Sequence, residues 1–273
     1  MNVWDKWNKW ALVSPPSRPS RSQICAARVA IKDVSRGSQI CVLGSTIEYR
    51  SLLAREGFNN VCVIDKSPQF RQWTNQFLPP EVVGRERYIE GDWSSVLGDF
   101  PDTFSAVFSD LTIGNVHFDY QEPLLHLIAK ALRPDGIFLD KFLHLGGKLH
   151  TVADIDDRFE NCPISVDSAN EFNCRAVFTS VLLEEFGCVD TARIYSALRQ
   201  LIVSVNSRAI LGLTIDSITP EGCTWHYGPR TKKTREVYKR LFSIQRTLPE
   251  PRTSPYFGNC DFFCSTRRAN GTT

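Results

Sequence analysis

The chain has 273 residues, 42% of them hydrophobic and 23% charged, enough to bury a core in one domain with an insertion. A formal net charge of +2 gives no general pull toward nucleic acid, and no apolar run reaches the roughly 20 residues of a membrane helix. The nine cysteines form no Cys-x-x-Cys pair and no His/Cys cluster with zinc spacing, so no metal site is expected. Their odd count, with no apolar leader at the N-terminus, points to a reducing cytoplasm.

Trp4, Trp7 and Trp10 recur at three-residue spacing along one helix face, and Ser14-Pro15-Pro16-Ser17-Arg18-Pro19-Ser20 reads as a linker. This aromatic helix either docks on the core or closes over its site. A helix over 24–34 leads into a first strand, Ile40-Cys41-Val42-Leu43, which ends at Gly44. A helix over 48–56 stops at Gly57, and a second apolar run, Val61-Cys62-Val63-Ile64, ends in Asp65. An acid about 20 residues past a strand–glycine turn suits a nucleoside, because a carboxylate only accepts and ribose offers two adjacent hydroxyl donors. Tyr88-Ile89-Glu90 is a third strand, running into Gly91-Asp92-Trp93, and a fourth runs from Phe104 to Asp110. Residues 122–132 carry Leu124, Leu125, Ile128 and Leu132 on one helical stripe. Arg133-Pro134-Asp135-Gly136 breaks that helix before a fifth strand, Ile137-Phe138-Leu139.

Residues 150–215 read as helical, in segments over 152–159, 169–186 and 190–210. This is long for a loop and suits an insertion above the strand ends. Trp225-His226-Tyr227-Gly228-Pro229-Arg230 is an aromatic-rich turn. A basic helix over 233–242, a strand over 241–246 and a strand over 261–267 follow.

With Gly44, Asp65, Gly91-Asp92-Trp93, Asp110 and Leu132-Arg133-Pro134-Asp135-Gly136 in this order, the chain resembles a class I (Rossmann-like) S-adenosylmethionine-dependent methyltransferase of small-molecule type. The resemblance covers residues 36–145 well and the C-terminal end more loosely. It implies an α/β fold: a doubly wound, mostly parallel seven-stranded sheet with an antiparallel last strand and a helical insertion after the fifth. The chain then divides into an N-terminal aromatic helix and linker (1–22), a cofactor-binding core (23–149), a helical substrate cap (150–230) and a C-terminal helix and strand hairpin (231–273).

The resemblance also implies S-adenosylmethionine as cofactor. Gly44, Ser45 and Thr46 would meet its methionine part, and Asp65 its ribose, with Lys66 lining the adenosine. Asp92, after Gly91, would accept from the adenine amino group and Trp93 would cover the ring. Asp110 and Leu111 would lie near the methionine ammonium and the methyl group. The family's first loop carries two or three glycines; here Gly44 stands alone, and Ser45 and Thr46 offer hydroxyls to the cofactor carboxylate. Any one of these acids would serve as a turn or helix cap; their recurrence after successive strands points to a ligand.

Transfer to a nitrogen, oxygen or sulfur atom is an in-line displacement on a sulfonium, so alignment matters most and proton removal matters for some acceptors. His117, past the fourth strand, His144, past the fifth, and Asp110 are the candidate bases, with Tyr120 and Tyr227 as orienting hydroxyls. A surface or packing role is the alternative at each histidine. A small-molecule substrate is expected, with neither nucleic acid nor membrane as partner, and a homodimer is compatible with the chain. Two other readings stay open. The lone-glycine loop supports a non-catalytic S-adenosylmethionine-binding scaffold. A nucleic-acid methyltransferase is weakened by Asp110-Leu111-Thr112-Ile113, which stands where an Asn/Asp-Pro-Pro-Tyr loop would be.

Overall fold

Uninterrupted apolar runs build the centre of the sheet. Strands β1 (Ile40–Leu43) and β2 (Val61–Asp65) are buried along their whole length, as parallel strands covered on both faces must be. In the computed structural model they join β3 (Arg87–Glu90), β4 (Phe104–Asp110), β5 (Leu132–Leu143), β8 (Phe242–Pro249) and β9 (Cys260–Arg267) in one seven-stranded sheet. The order is β3-β2-β1-β4-β5-β9-β8. The β1–β2, β1–β4, β2–β3 and β4–β5 pairs are parallel, whereas β9 runs antiparallel to both its neighbours. The structure describes residues 10–15, 17–144, 149–178, 188–219, 221–227, 231–254 and 256–268. Trp4, Trp7, Arg230 and the Gly271-Thr272-Thr273 tail lie outside them, so the expected aromatic helix is represented only by the 3-10 turn Trp10–Leu12.

Side chains alternate along a strand, and the two faces carry different helices. Ile40 and Val42 pack with Tyr49, Leu52 and Leu53 of α2 (Ile47–Arg55) and with Ala26 and Ala27 of α1 (Arg21–Ala30). Cys41 and Leu43 face the other way. They share a cluster with Leu124, Leu125 and Ile128 of α6 (Phe118–Ala131) and with Tyr238 of the C-terminal helix Thr231–Leu241. Cys41 of β1 and Cys62 of β2 are buried thiols. Helix α1 starts on a capping box between Ser20 and Gln23, three residues earlier than the periodicity suggests.

The insertion after β5 packs as a separate layer over the strand ends. It contains α7 (Val152–Phe159), α8 (Val166–Ala176), α9 (Thr191–Leu201) and α10 (Val205–Ser217) around Phe159, Phe172, Tyr195 and Ile210. The helix expected over 190–210 is two helices, because Ser204 caps the second and donates its own N–H to Asp156. The expected 169–186 helix ends at Ala176, and residues 179–187 lie outside the described set. A two-stranded ladder of β6 (Val189–Asp190) and β7 (Thr224–Trp225) ties the two ends of the α9–α10 pair together. Periodicity gives no sign of strands this short. The Arg133–Gly136 turn is a bulge within β5: Phe104 pairs with Leu132 and Ala106 with Ile137, leaving the intervening residues looped out. Among the described residues no helix is long and apolar enough to cross a membrane.

Candidate active site

In a sheet of this order the chain leaves β1 toward one side and β4 toward the other, and a crevice opens at their C-terminal ends. A cavity of about 410 Å3 occupies that position. Its floor is made of strand ends and its roof of the segment from Ile218 to Tyr227 and of Val13 and Ser17.

Gly44 ends β1 with φ +86°, the left-handed region that glycine enters without steric cost. Its N–H donates to the carbonyl of Ile64 at 2.8 Å, and the Trp93 indole Nε1 donates to the same oxygen at 2.9 Å. Trp93 is thereby fixed beside the turn, its Cζ2 3.9 Å from where a Cβ on Gly44 would lie. Ser45 does not point to a ligand as expected from the sequence. Its Oγ donates to Asp65 Oδ2 at 2.7 Å, while the backbone N–H of Ser67 donates to Oδ1 at 3.0 Å. Each Asp65 oxygen thus holds one internal donor and keeps acceptor capacity for another. Burial raises the Asp65 carboxyl above its ordinary pKa, against these stabilising bonds. Thr46 starts α2 without a side-chain cap bond and lines the cavity, as does Lys66.

Asp92 caps a short helix, α5 (Trp93–Val96), its Oδ1 accepting from the N–H of Ser94 at 3.0 Å, and also lines the cavity. Gly91 is not in the lining; a Cβ there would fall 2.6 Å from Val96 Cγ2, so its role is to let α5 pack closely.

Asp110 closes β4. Its side chain is 4% exposed, and Oδ1 has no hydrogen-bond partner, with Lys141 Nζ at 3.8 Å. Burial pushes its pKa up to about 7; Glu48 and Glu250 push the same way, and Lys141 and Arg18 oppose them. Leu111 follows with φ 60°, a conformation that costs a β-carbon residue energy and that here turns the chain across the cavity.

Of the candidate bases and orienting hydroxyls, Asp110 and Tyr227 line the cavity, whereas His117, His144 and Tyr120 do not. His117 is the N-cap of α6, its Nδ1 accepting from the N–H of Asp119 at 3.3 Å. His144 is buried behind β5, Nε2 against Asp261 Oδ2 of β9 at 2.9 Å. Tyr120 is 62% exposed. Tyr227 lines the cavity, but its hydroxyl donates to the carbonyl of Val177 at 2.8 Å. Sequence reasoning missed Phe70, Asn173, Thr219, Cys223 and, above all, His226. The only forward sign of the last was the aromatic density of its segment.

The N-terminal stretch bridges floor and roof. Lys141 Nζ donates to the carbonyl of Arg18 at 3.1 Å, and the Arg18 guanidinium pairs with Glu48. On the other side the N–H of Ser14 donates to Asn170 Oδ1 of α8 at 3.0 Å, and Asn170 Nδ2 donates to the carbonyl of Leu12 at 2.8 Å.

Residues 43–140 match a family described as a methyltransferase domain. No curated protein matches the chain. Among solved structures, a Rhodobacter sphaeroides protein titled as a Zn-dependent alcohol dehydrogenase superposes with a TM-score of 0.55 at 13% identity, over 98% of this chain and 100% of its own. An S-adenosylmethionine-dependent methyltransferase of Methanosarcina mazei gives 0.54 at 11% identity, over 89% and 98%. The N-methyltransferase NodS of Bradyrhizobium japonicum, solved with S-adenosyl-L-homocysteine, gives 0.50 at 9%, over 95% and 92%. Likenesses at these identities carry the fold, and the family match from the end of β1 into β5 carries the reaction class. Residues 43–140 thus form a methyltransferase domain on a class I, Rossmann-like fold.

Proposed function

We propose that the cavity holds S-adenosylmethionine along the ends of β1, β2 and β4 and methylates a compact small molecule enclosed under the helical cap. The observation that carries this reading is the continuity of one walled cavity, from the Asp65 carboxylate on the floor to Trp225 and His226 in the roof. An acceptor site roofed by the cap and by Val13 and Ser17 suits a molecule of metabolite size better than a duplex.

The chain's own residues fit the cofactor's chemistry. Asp65 has the acceptor capacity that two ribose hydroxyls need. Asp110 offers a buried oxygen without a hydrogen-bond partner to an ammonium group. Gly44 lets backbone approach where Trp93 already forms a wall. Bound S-adenosylmethionine supplies a methyl group already activated on a sulfonium, so the protein's task is alignment and exclusion of water. The Ser45–Asp65 bond ties the β1 turn to the ribose carboxylate and supplies rigidity that a glycine-rich loop lacks. Nine free cysteines agree with a reducing, cytoplasmic setting.

The test is transfer of label from methyl-labelled S-adenosylmethionine. One arm offers the protein a low-molecular-weight metabolite extract and the other total RNA and DNA, with S-adenosylhomocysteine binding measured in parallel by calorimetry. Label is expected in the metabolite fraction. Label confined to nucleic acid would refute the acceptor class, and binding with no transfer to either arm would favour the non-catalytic reading.

A further inference from the structure

The segment that roofs the acceptor side is held to the core through both backbone groups of one residue, His226. The N–H of His226 donates to the carbonyl of Gly114 at 2.6 Å, and the carbonyl of His226 accepts from Gln121 Nε2 at 2.6 Å. Gln121 is fully buried and is itself fixed by Thr234 Oγ1, which donates to its Oε1 at 2.7 Å. Gly114 lies in the turn Ile113–Asn115, directly after Asp110 and Leu111. Both backbone groups of a loop residue are thus captured by two different core elements, and the residue lines the cavity beside the turn that follows β4. That ring is half-buried. Its Nδ1 is shielded from solvent and has no hydrogen-bond partner, and its edges meet Phe118 at 5.7 Å and His117 at 5.0 Å between ring centres.

The charges of the lining are segregated. Its carboxylates, Asp65, Asp92 and Asp110, all stand at strand ends or the turns that follow, and Lys66 is beside Asp65. The roof offers Asn173, Thr219, Cys223, Trp225, Tyr227 and Tyr256. Burial pushes the Cys223 thiol up to about 12 and both tyrosine hydroxyls well up, so these groups are neutral at physiological pH. His226 is the one basic group the roof presents among the described residues, and burial, helped by His117, lowers its pKa. The ionisable groups around it are His117, whose Nδ1 lies 3.3 Å from Asp119, Cys223 on its own segment, and Asp110 at the head of the Gly114 turn.

A carboxylate acceptor would find no cation in such a roof. An uncharged hydroxyl would find aromatic walls and one neutral base, and it is the acceptor that must shed a proton to react. Resting on the cofactor reading above, the geometry points to His226 as the general base for an uncharged aromatic hydroxyl acceptor. The hydroxyl oxygen bonds to the methyl carbon and the carbon–sulfur bond breaks. Its electron pair stays on sulfur, and the hydroxyl proton passes to the imidazole and then to solvent.

The decisive variant is His226→Asn, because both clamping hydrogen bonds use backbone atoms and survive the change. Wild type and variant are assayed in single turnover with methyl-labelled S-adenosylmethionine and catechol, 1-naphthol, benzylamine or benzoate. S-adenosylhomocysteine affinity is measured by calorimetry, and histidine ring signals are followed by NMR across pH. Label is expected on the hydroxyl compounds only. In the variant, transfer falls roughly 100- to 10,000-fold with S-adenosylhomocysteine affinity unchanged. The wild-type rate rises with pH through an inflection below the ordinary histidine value, and the variant loses it. One histidine signal titrates at that inflection in wild type, moves when catechol is added and is missing from the variant. Comparable transfer to benzylamine or benzoate, a variant with the wild-type rate and inflection, or a wild type that binds S-adenosylhomocysteine but methylates neither hydroxyl would each overturn the assignment. Failure of wild type to bind S-adenosylhomocysteine would instead overturn the cofactor reading beneath it.

Discussion

Cofactor affinity should fall steeply below neutral pH, and Asp110 should be the reason. Its Oδ1 has no hydrogen bond, and Lys141 stands 3.8 Å away. That lysine is also engaged with the carbonyl of Arg18, so it offsets only part of the cost of burying the charge. Burial, with Glu48 and Glu250 nearby, holds the carboxyl near pH 7. If the ionised form receives the cofactor ammonium, binding requires proton loss, and affinity scales with the ionised fraction. The dissociation constant should then rise about 10-fold at pH 6 and about 100-fold at pH 5 relative to pH 8, the latter about 2.7 kcal/mol. Near pH 6 about 0.9 proton should leave per ligand bound. Calorimetry of S-adenosylhomocysteine in two buffers of different ionisation enthalpy reads both quantities. Asp65 is also raised by burial, so Asp110→Asn is the necessary control. It should flatten the pH dependence and weaken binding at pH 8 by roughly 10- to 150-fold, the cost of a lost hydrogen bond to a charge. A dissociation constant constant within about twofold from pH 5.5 to 8, or an unchanged slope in Asp110→Asn, would refute the reasoning.

Two further outcomes concern Asp65 and a third buried carboxylate, Asp140. Asp65→Ala should weaken S-adenosylhomocysteine binding by roughly 1.5–3 kcal/mol, and Ser45→Ala, which removes only an internal donor, by about 0.5–1.5 kcal/mol; calorimetry giving the reverse order would put the ribose elsewhere. Asp140 is fully buried, accepts from Ser109 Oγ at 2.6 Å and is raised to about 7 by burial, with Asp110 adding to the rise. A carboxyl raised on folding gives stability that is full below its unfolded value near 4 and is lost as pH climbs through about 7. Asp140→Asn should therefore remove up to about 1.4 kcal/mol per pH unit from the slope of unfolding free energy between pH 5 and 7, measured by urea titration. An identical slope in the variant would rule the group out.

The floor of the cavity was legible because its units are local. Each acid sits at or just past the end of its own strand, and a buried parallel strand announces itself as an apolar run. Gly44, Asp65, Asp92 and Asp110 therefore came out of the sequence in order, and all of them line the cavity. What the sequence did not give was the use of each group. Ser45 looked like a ligand donor because it follows the turn, yet its hydroxyl bonds the very carboxylate that the next strand delivers. Gly91 looked like part of the floor, yet it serves the packing of α5 against Val96. Both outcomes depend on side chains from neighbouring units, which strand-end logic does not weigh.

The acceptor side was hidden for a different reason. His117 and His144 were conspicuous because each follows a strand, but position along the chain does not say where a ring points. His144 meets Asp261, a residue 117 positions away that reaches it only because β9 inserts antiparallel beside β5. His226 follows no strand of the main sheet. It is brought to the β4 end by bonds to Gly114 and to Gln121, the latter 105 positions away. Local periodicity cannot carry such a pairing, since it reports only which face of each cap helix is apolar. The division has a physical basis. The strand-end groups belong to a repeating βα pattern that any chain of this fold must write in order. The roof is written by a loop held through backbone bonds at His226 and through the Tyr227 hydroxyl, each to a partner far away in the chain.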